Sequence, residues 1–286
     1  MRKFESYNPY IILLHFVLII GICMLVMHPV IQAISLICGL VYCGMILGKK
    51  KLINRLLFLV PVMVITMVIN PLFNHRGVTV LGYFPSGNPL TLESALFGVF
   101  SGVMLASVIC WFSCFNSIFK SDKILYVLGR IAPSVSLVLS MTLRFVPRFL
   151  RHAEDVLNAQ KALGRDIKKG SIADRLGIAS DVLSAMTSWS LENSVETANS
   201  MKCRGFGTGK RTFFSIFSFD KNDGLLLVTD VILFIVFIVA YRNFDFSYYP
   251  VFDFSVDLIG AVVVLVYGVI CLMPVLIDFL EVRRWK

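Results

Sequence analysis

Six apolar runs, each near the length of a membrane crossing, constrain this chain more than anything else in it. They are Tyr10–Met27, Val30–Leu47, Leu52–Ile69, Leu92–Phe119, Leu225–Tyr241 and Val256–Leu280. A helix of about 20 apolar residues spans the hydrocarbon core, where backbone polar groups must be satisfied internally. The sequence therefore predicts an all-α, polytopic membrane protein with about six transmembrane helices. The fourth and sixth runs are long enough to tilt or to project beyond the bilayer. His28-Pro29 turns the first two into an antiparallel hairpin. Composition agrees: 57% of the 286 residues are hydrophobic, 16% are charged, and the mean hydropathy is +0.80. The first run has no small-residue cleavage site and passes directly into the second, so it reads as a retained span.

Charge sets the orientation. With both termini inside, 24 of the 27 Lys and Arg residues fall in the cytoplasmic parts 1–9, 48–51, 120–224 and 281–286. Sixteen of them lie in 120–224, while the outer loops hold only Arg76 and Arg242. That is the positive-inside pattern, and it favours an even number of spans. It also accounts for the net charge of +9 without nucleic acid. The chain divides into residues 1–119 (transmembrane helices 1–4), 120–224 (a cytoplasmic or membrane-surface segment) and 225–286 (transmembrane helices 5–6).

Seven cysteines (Cys23, Cys38, Cys43, Cys110, Cys114, Cys203, Cys271) are scattered without a C-x-x-C pair, so they predict neither a metal site nor a disulfide framework. Outside, Asn70–Thr91 is rich in Gly and Pro and carries a strand-like Val78–Leu81, which suggests a small hairpin. Asn243–Ser255 carries Phe244, Phe246, Tyr248, Tyr249, Phe252 and Phe254. Aromatics there anchor helix ends in the interface; a binding role is the second reading.

The basic segment carries the specific pattern. Ile124–Leu143 is apolar but broken by Gly129, Arg130 and Pro133, and reads as short helices at the membrane surface. A first long helix is expected from about Val146 to Ala162, with Pro147 at its start, and a second from about Ile178 to Cys203. Both end in similar tags: Gln160-Lys161-Ala162-Leu163-Gly164-Arg165 and Met201-Lys202-Cys203-Arg204-Gly205-Phe206. Each puts a small residue, a variable residue and a Gly at a helix terminus. One reading is an ordinary glycine C-cap with a solvated Arg. The other is a helix end that enters a groove on another protein, with an Arg for its carboxylates.

Leu143-Arg144-Phe145-Val146-Pro147, Asn158 to Gly164, Met201 to Phe206 and Lys210-Arg211-Thr212 together resemble the transmembrane T component of energy-coupling factor (ECF) transporters. These are ABC-type importers of vitamins and transition-metal ions in prokaryotes. The resemblance implies a subunit of the plasma membrane that scaffolds the complex and transmits energy. It implies two coupling helices, lying crosswise beneath the membrane, whose ends dock in grooves on two ATPase subunits. It implies a small membrane S component that binds the substrate and topples to release it. The motif at each helix end is typically Ala-Arg-Gly. Cys203-Arg204-Gly205 keeps the Arg and Gly. Ala162-Leu163-Gly164 has Leu in place of Arg, with Arg165 two residues beyond Leu163. Arg204 is thus expected to make an ionic contact with one ATPase, and Leu163 an apolar contact with the other.

Two other classes fit less well. A membrane enzyme needs paired acids or a nucleophile with its base. His15, His28, His75 and His152 lie far apart, and neither H-E-x-x-H, G-x-S-x-G nor a P-loop occurs. The chain reads as non-catalytic and without a cofactor, its energy supplied by partners. A stand-alone carrier or channel usually shows charge within spans or internal repeats. Glu93, Asp230, Asp257 and Asp278 all read as lying near span ends.

Overall fold

Apolar runs become helices here because lipid leaves the backbone no other partner. The structure, a computed structural model, describes residues 4–74, 77–83, 89–165, 167, 171–209, 217–243 and 258–284, the side chains of 258 and 281–284 excepted. A short 3-10 turn, Phe4–Ser6, precedes α1 (Pro9–Leu25), α2 (Pro29–Leu47) and α3 (Lys49–Phe73). Strands β1 (Val80–Tyr83) and β2 (Pro89–Thr91) lead to α4 (Leu92–Ile118) and α5 (Ser121–Ile131). Then come α6 (Pro133–Ala162), α7 (Ile172–Cys203), α8 (Lys221–Arg242) and α9 (Leu258–Arg284). The protein is an all-α polytopic membrane protein. Among the described residues, five helices (α2, α3, α4, α8, α9) are long and apolar enough to cross a membrane, and α1 is a shorter apolar helix of 17 residues.

The chain forms two compact units, residues 1–124 with 217–286, and residues 125–216. In the first, α2 and α4 pack together at the centre; α3 lies against α4, α9 against α2, and α8 against α9. Only 11% of the apolar window of α3 and 17% of that of α8 are buried within the protein, against 39% for α2. The outer helices thus present their apolar sides to lipid.

Polar groups fix which helices meet. Ser35 of α2 accepts hydrogen bonds from Trp111 Nε1 of α4 at 3.0 Å and from the Tyr267 hydroxyl of α9 at 3.0 Å, and lies 3.5 Å from Cys23 Sγ of α1. All four residues are buried. The segment leading into α1 is tied down as well. Asp278 accepts from the Phe4 amide at 2.7 Å, and Asp223 accepts from the Asn8 amide at 3.2 Å. Glu5 pairs with Lys120 at 2.9 Å, and the Glu5 carbonyl accepts from Lys123 Nζ at 2.6 Å. Burial pushes the Lys123 amine down to about 8.

Asp230 corrects the sequence reading. Its helix starts at Lys221, earlier than the apolar run, because Asp220 caps it: the Asp220 carboxylate accepts from Lys221 N and the Asp220 amide donates to Asp223. Asp230 therefore sits well inside α8. It is buried, and both its carboxylate oxygens lie within 3.1 Å of Nδ1 of buried His15 in α1.

α3 and α4 approach closely through small residues. A side-chain carbon placed at Gly102 would lie 2.6 Å from Thr66 Oγ1 and 3.2 Å from Met63 Cα, and at Gly98 3.1 Å from Met67 Cα. With Ala106 one turn further on, this is a small-xxx-small seam of the kind that lets membrane helices touch. Gly102→Leu should push α3 from α4 and destabilise the fold by about 1–3 kcal/mol. Thermal unfolding in detergent is the check, with Phe112→Leu on the exposed side of α4 as the near-neutral comparison.

The expected hairpin exists, shifted by two residues. β1 starts at Val80 rather than Val78 and pairs antiparallel with β2, Val80 opposite Thr91 and Tyr83 opposite Pro89. The aromatic loop at 244–255 and Lys210-Arg211-Thr212 lie outside the described residues.

Candidate functional site

The second unit is built on two long helices, α6 and α7, and both begin earlier than their sequences suggest. The expected start of α6 was Val146, with Pro147 opening the helix. Instead Pro133 takes the first position, where its missing N–H costs nothing, and the helix runs 30 residues through Pro147. That proline removes one internal bond, to the Leu143 carbonyl, and the helix continues. Ile124–Leu143 is accordingly α5 plus the first half of α6. For α7 the expected start was Ile178; it begins at Ile172, because Asp174 Oδ2 accepts from the Ser171 amide at 3.1 Å and caps the first turn.

α6 and α7 pack side by side. Ile178, Val182 and Met186 of α7 form a buried cluster with Phe149, Ala153, Val156, Leu157 and Trp189. Trp189 of α7 lies against a single stripe of α6. It stacks on His152 at 4.2 Å and on Phe145 at 5.5 Å, meets Phe149 at 6.3 Å, and has the Arg148 guanidinium over its ring at 5.7 Å. Positions 145, 148, 149 and 152 are i, i+3, i+4 and i+7, one face of a helix. Near the other end of α6, Arg165 Nη1 pairs with Asp181 Oδ2 at 2.7 Å. The C-terminus of α6 therefore lies beside the N-terminal half of α7. The C-terminus of α7 is roughly 33 Å further along, at 1.5 Å per residue from Asp181.

The two tagged ends share one backbone geometry. Gly164 has φ 81° and Gly205 φ 78°, the left-handed conformation that glycine adopts without steric cost. Around Gly164, the Gly164 amide donates to Lys161 O and the Arg165 amide to Gln160 O, both at 3.0 Å. Around Gly205, the Gly205 amide donates to Lys202 O and the Phe206 amide to Met201 O, again both at 3.0 Å. This is the Schellman motif, present twice. The residues before the glycines match too: Leu163 has φ −80° and ψ 8°, Arg204 φ −83° and ψ 10°. Leu163 and Arg204 thus occupy equivalent positions. Both are exposed, Leu163 to 75%, as are Ala162, Gly164, Arg165, Cys203 and Gly205.

So each end carries one apolar side chain and one guanidinium across a left-handed glycine, in opposite order: Leu-Gly-Arg at the first, Arg-Gly-Phe at the second. Each end can offer an apolar knob and a cation, and neither carries a nucleophile with a base. Sequence reasoning found both ends from their glycines. It missed Trp189 as the centre of the packing, and the buried His15–Asp230 pair of the other unit.

A polytopic helical membrane protein, with a separate pair of long helices closed by two equivalent capped ends, is the class these features define. The family model described as Cobalt transport protein (CbiQ) matches residues 8–216, and the chain belongs to that family. Among curated proteins it is 26% identical over 191 residues to the energy-coupling factor transporter transmembrane protein EcfT 1 of Listeria monocytogenes, covering 62% of this chain and 67% of the relative. It is 29% identical over 100 residues to the EcfT protein of Lactobacillus helveticus, 35% of this chain and 36% of the relative. An uncharacterized MG181 homolog from Mycoplasma pneumoniae is 32% identical over 104 residues, 36% of this chain and 24% of the relative. For the last two, the matched part is about a third or less of the relative's own length.

Proposed function

We propose that this chain is the transmembrane scaffold and energy-transducing subunit of an ECF-type importer. It couples ATP hydrolysis by two partner ATPase subunits to uptake through a small S component that carries a vitamin or a transition-metal ion. The observation that supports this most is the pair of exposed Schellman ends, equivalent in backbone and each bearing an Arg. The printed names of the relatives point the same way. Residues 120–224 serve as the coupling region between spans 1–4 and 5–6. The Lys and Arg distribution favours a cytoplasmic location for that region and for both termini, in a prokaryotic plasma membrane. The chain itself is non-catalytic in this reading.

A further feature fits partner binding. Leu176, Leu183, Leu191 and Val195 of α7 are each at least 60% exposed. At 100° per residue they fall on the side of α7 away from Ile178, Val182, Met186 and Trp189. Exposed apolar surface of this kind marks interaction sites. We assign it to the S component.

Arg204 carries the decisive contact, a charge-assisted bond to a carboxylate in the ATPase groove. Arg204→Gln should leave membrane insertion unchanged and lower ATP-driven uptake in reconstituted vesicles about tenfold, the loss of roughly 1.4 kcal/mol. Uptake at the full rate would refute the assignment.

A further inference from the structure

The first docking end is occupied by the chain itself. Arg165 Nη1 lies 2.7 Å from Asp181 Oδ2, and 3.4 Å from Gln160 Oε1. The two charged side chains are each about half exposed, so the pair is accessible and readily exchanged. Among the described residues, no ion pair holds Arg204 at the second end. Two ends with one backbone geometry therefore differ among the described residues: the Arg165 guanidinium is ion-paired to Asp181, and no ion pair is seen for Arg204.

We propose that Asp181 is an internal stand-in for a partner carboxylate. It holds Arg165 along α7 until an acidic groove on an ATPase subunit takes its place. This rests on the docking reading above. The inverted order of the residues explains why the device is at this end. In the second end the cation sits before the glycine, at the tip of the helix. In the first end Leu163 holds that place and enters the groove as an apolar knob. Arg165 lies one residue past the glycine, where it reaches Asp181. A groove without a correctly placed carboxylate meets only Leu163 and leaves the Arg165–Asp181 pair intact. A groove with one gains the Arg165 contact in exchange. Asp181 thus sets a threshold of discrimination at the first end, since binding the wrong surface forfeits the exchange.

The test measures affinity of the full chain, in lipid nanodiscs, for the P-loop ATPase subunits that purify with it. Asp181→Asn removes the competitor and should tighten binding about two- to fivefold, as expected for releasing one exposed ion pair. Glu192→Gln makes the same change of charge on α7 and should leave affinity at the wild-type value. The gain should vanish when Asp181→Asn is combined with Arg165→Ala. A gain that survives in the Arg165→Ala background, or that Glu192→Gln reproduces, would overturn the stand-in role, as would an unchanged affinity for Asp181→Asn. The docking reading is judged separately by Arg204→Gln in the same assay. If that variant binds at wild-type affinity, docking through these ends fails and the stand-in role fails with it. If it binds more weakly while Asp181→Asn has no effect, only the stand-in role fails.

Discussion

Asp230→Leu should destabilise the spanning unit by about 3–5 kcal/mol, whereas His15→Leu combined with Asp230→Leu should recover most of that loss. Both side chains of this pair have no exposed surface, and Nδ1 of His15 meets both carboxylate oxygens, at 3.0 and 3.1 Å. Removing the carboxylate leaves a buried imidazole with no acceptor. Its Nε2 already has no hydrogen-bond partner among the described residues, so nothing nearby compensates. The Phe4 and Phe16 rings pack around the imidazole, at 5.2 and 6.2 Å, and offer it no strong acceptor. Replacing both partners by leucine removes both desolvation costs and leaves apolar surface among apolar neighbours. Unfolding monitored in detergent for the two single variants and the double variant decides it. Additive losses would show that the pair acts as two separate side chains and not as one polar joint between α1 and α8.

What the sequence disclosed, and what it withheld, follows from the range of the forces. The spans were legible because lipid acts on every residue of a run alike, so length and polarity suffice. The ends of α6 and α7 were legible because Gly164 and Gly205 are needed locally for a left-handed turn. The starts were less legible. Pro147 could open a helix or interrupt one, and only Pro133, fourteen residues earlier, decides the matter. Ser171 with Asp174 is a local signal for the start of α7, and was available to be read. The partners of buried acids were not legible at all. His15 and Asp230 are 215 residues apart, and nothing local ties an acid in α8 to an imidazole in α1. Gly98 and Gly102 show the middle case: their spacing is visible in sequence, but the helix they face is not. The equivalence of the two tagged helix ends could be suspected from the tags. That Arg165 is already engaged by Asp181 could not, because the pairing depends on how α6 lies along α7.

Trp189→Ala should loosen the α6–α7 pair by about 3 kcal/mol, toward the low end for a Trp-to-Ala change because the side chain is only partly buried. Trp189 reaches Phe145, Arg148, Phe149 and His152, so one substitution removes the aromatic contact of α7 with this stripe of α6 and leaves Phe149 held by the aliphatic cluster. The remaining cluster of Ile178, Val182 and Met186 lies nearer the Arg165 end and should hold. The loss is therefore uneven along the pair. Amide hydrogen exchange should accelerate around Phe145–His152 and from Trp189 to the end of α7, and change little around Ala153–Leu157. Trp189→Phe keeps a ring against His152 and should restore most of the protection. Uniform acceleration along both helices would mean that the pair unfolds as one unit. Acceleration confined to the Trp189 half would mean that the Arg204 end, roughly 22 Å beyond Trp189, depends on this one side chain for its position. In the second case, on the coupling role proposed above, Trp189→Ala should lower ATP-driven uptake even though Arg204 itself is intact, and the Arg165 end should still bind. That separation of the two ends is the mechanical consequence of placing one aromatic contact between them and the aliphatic cluster to one side of it.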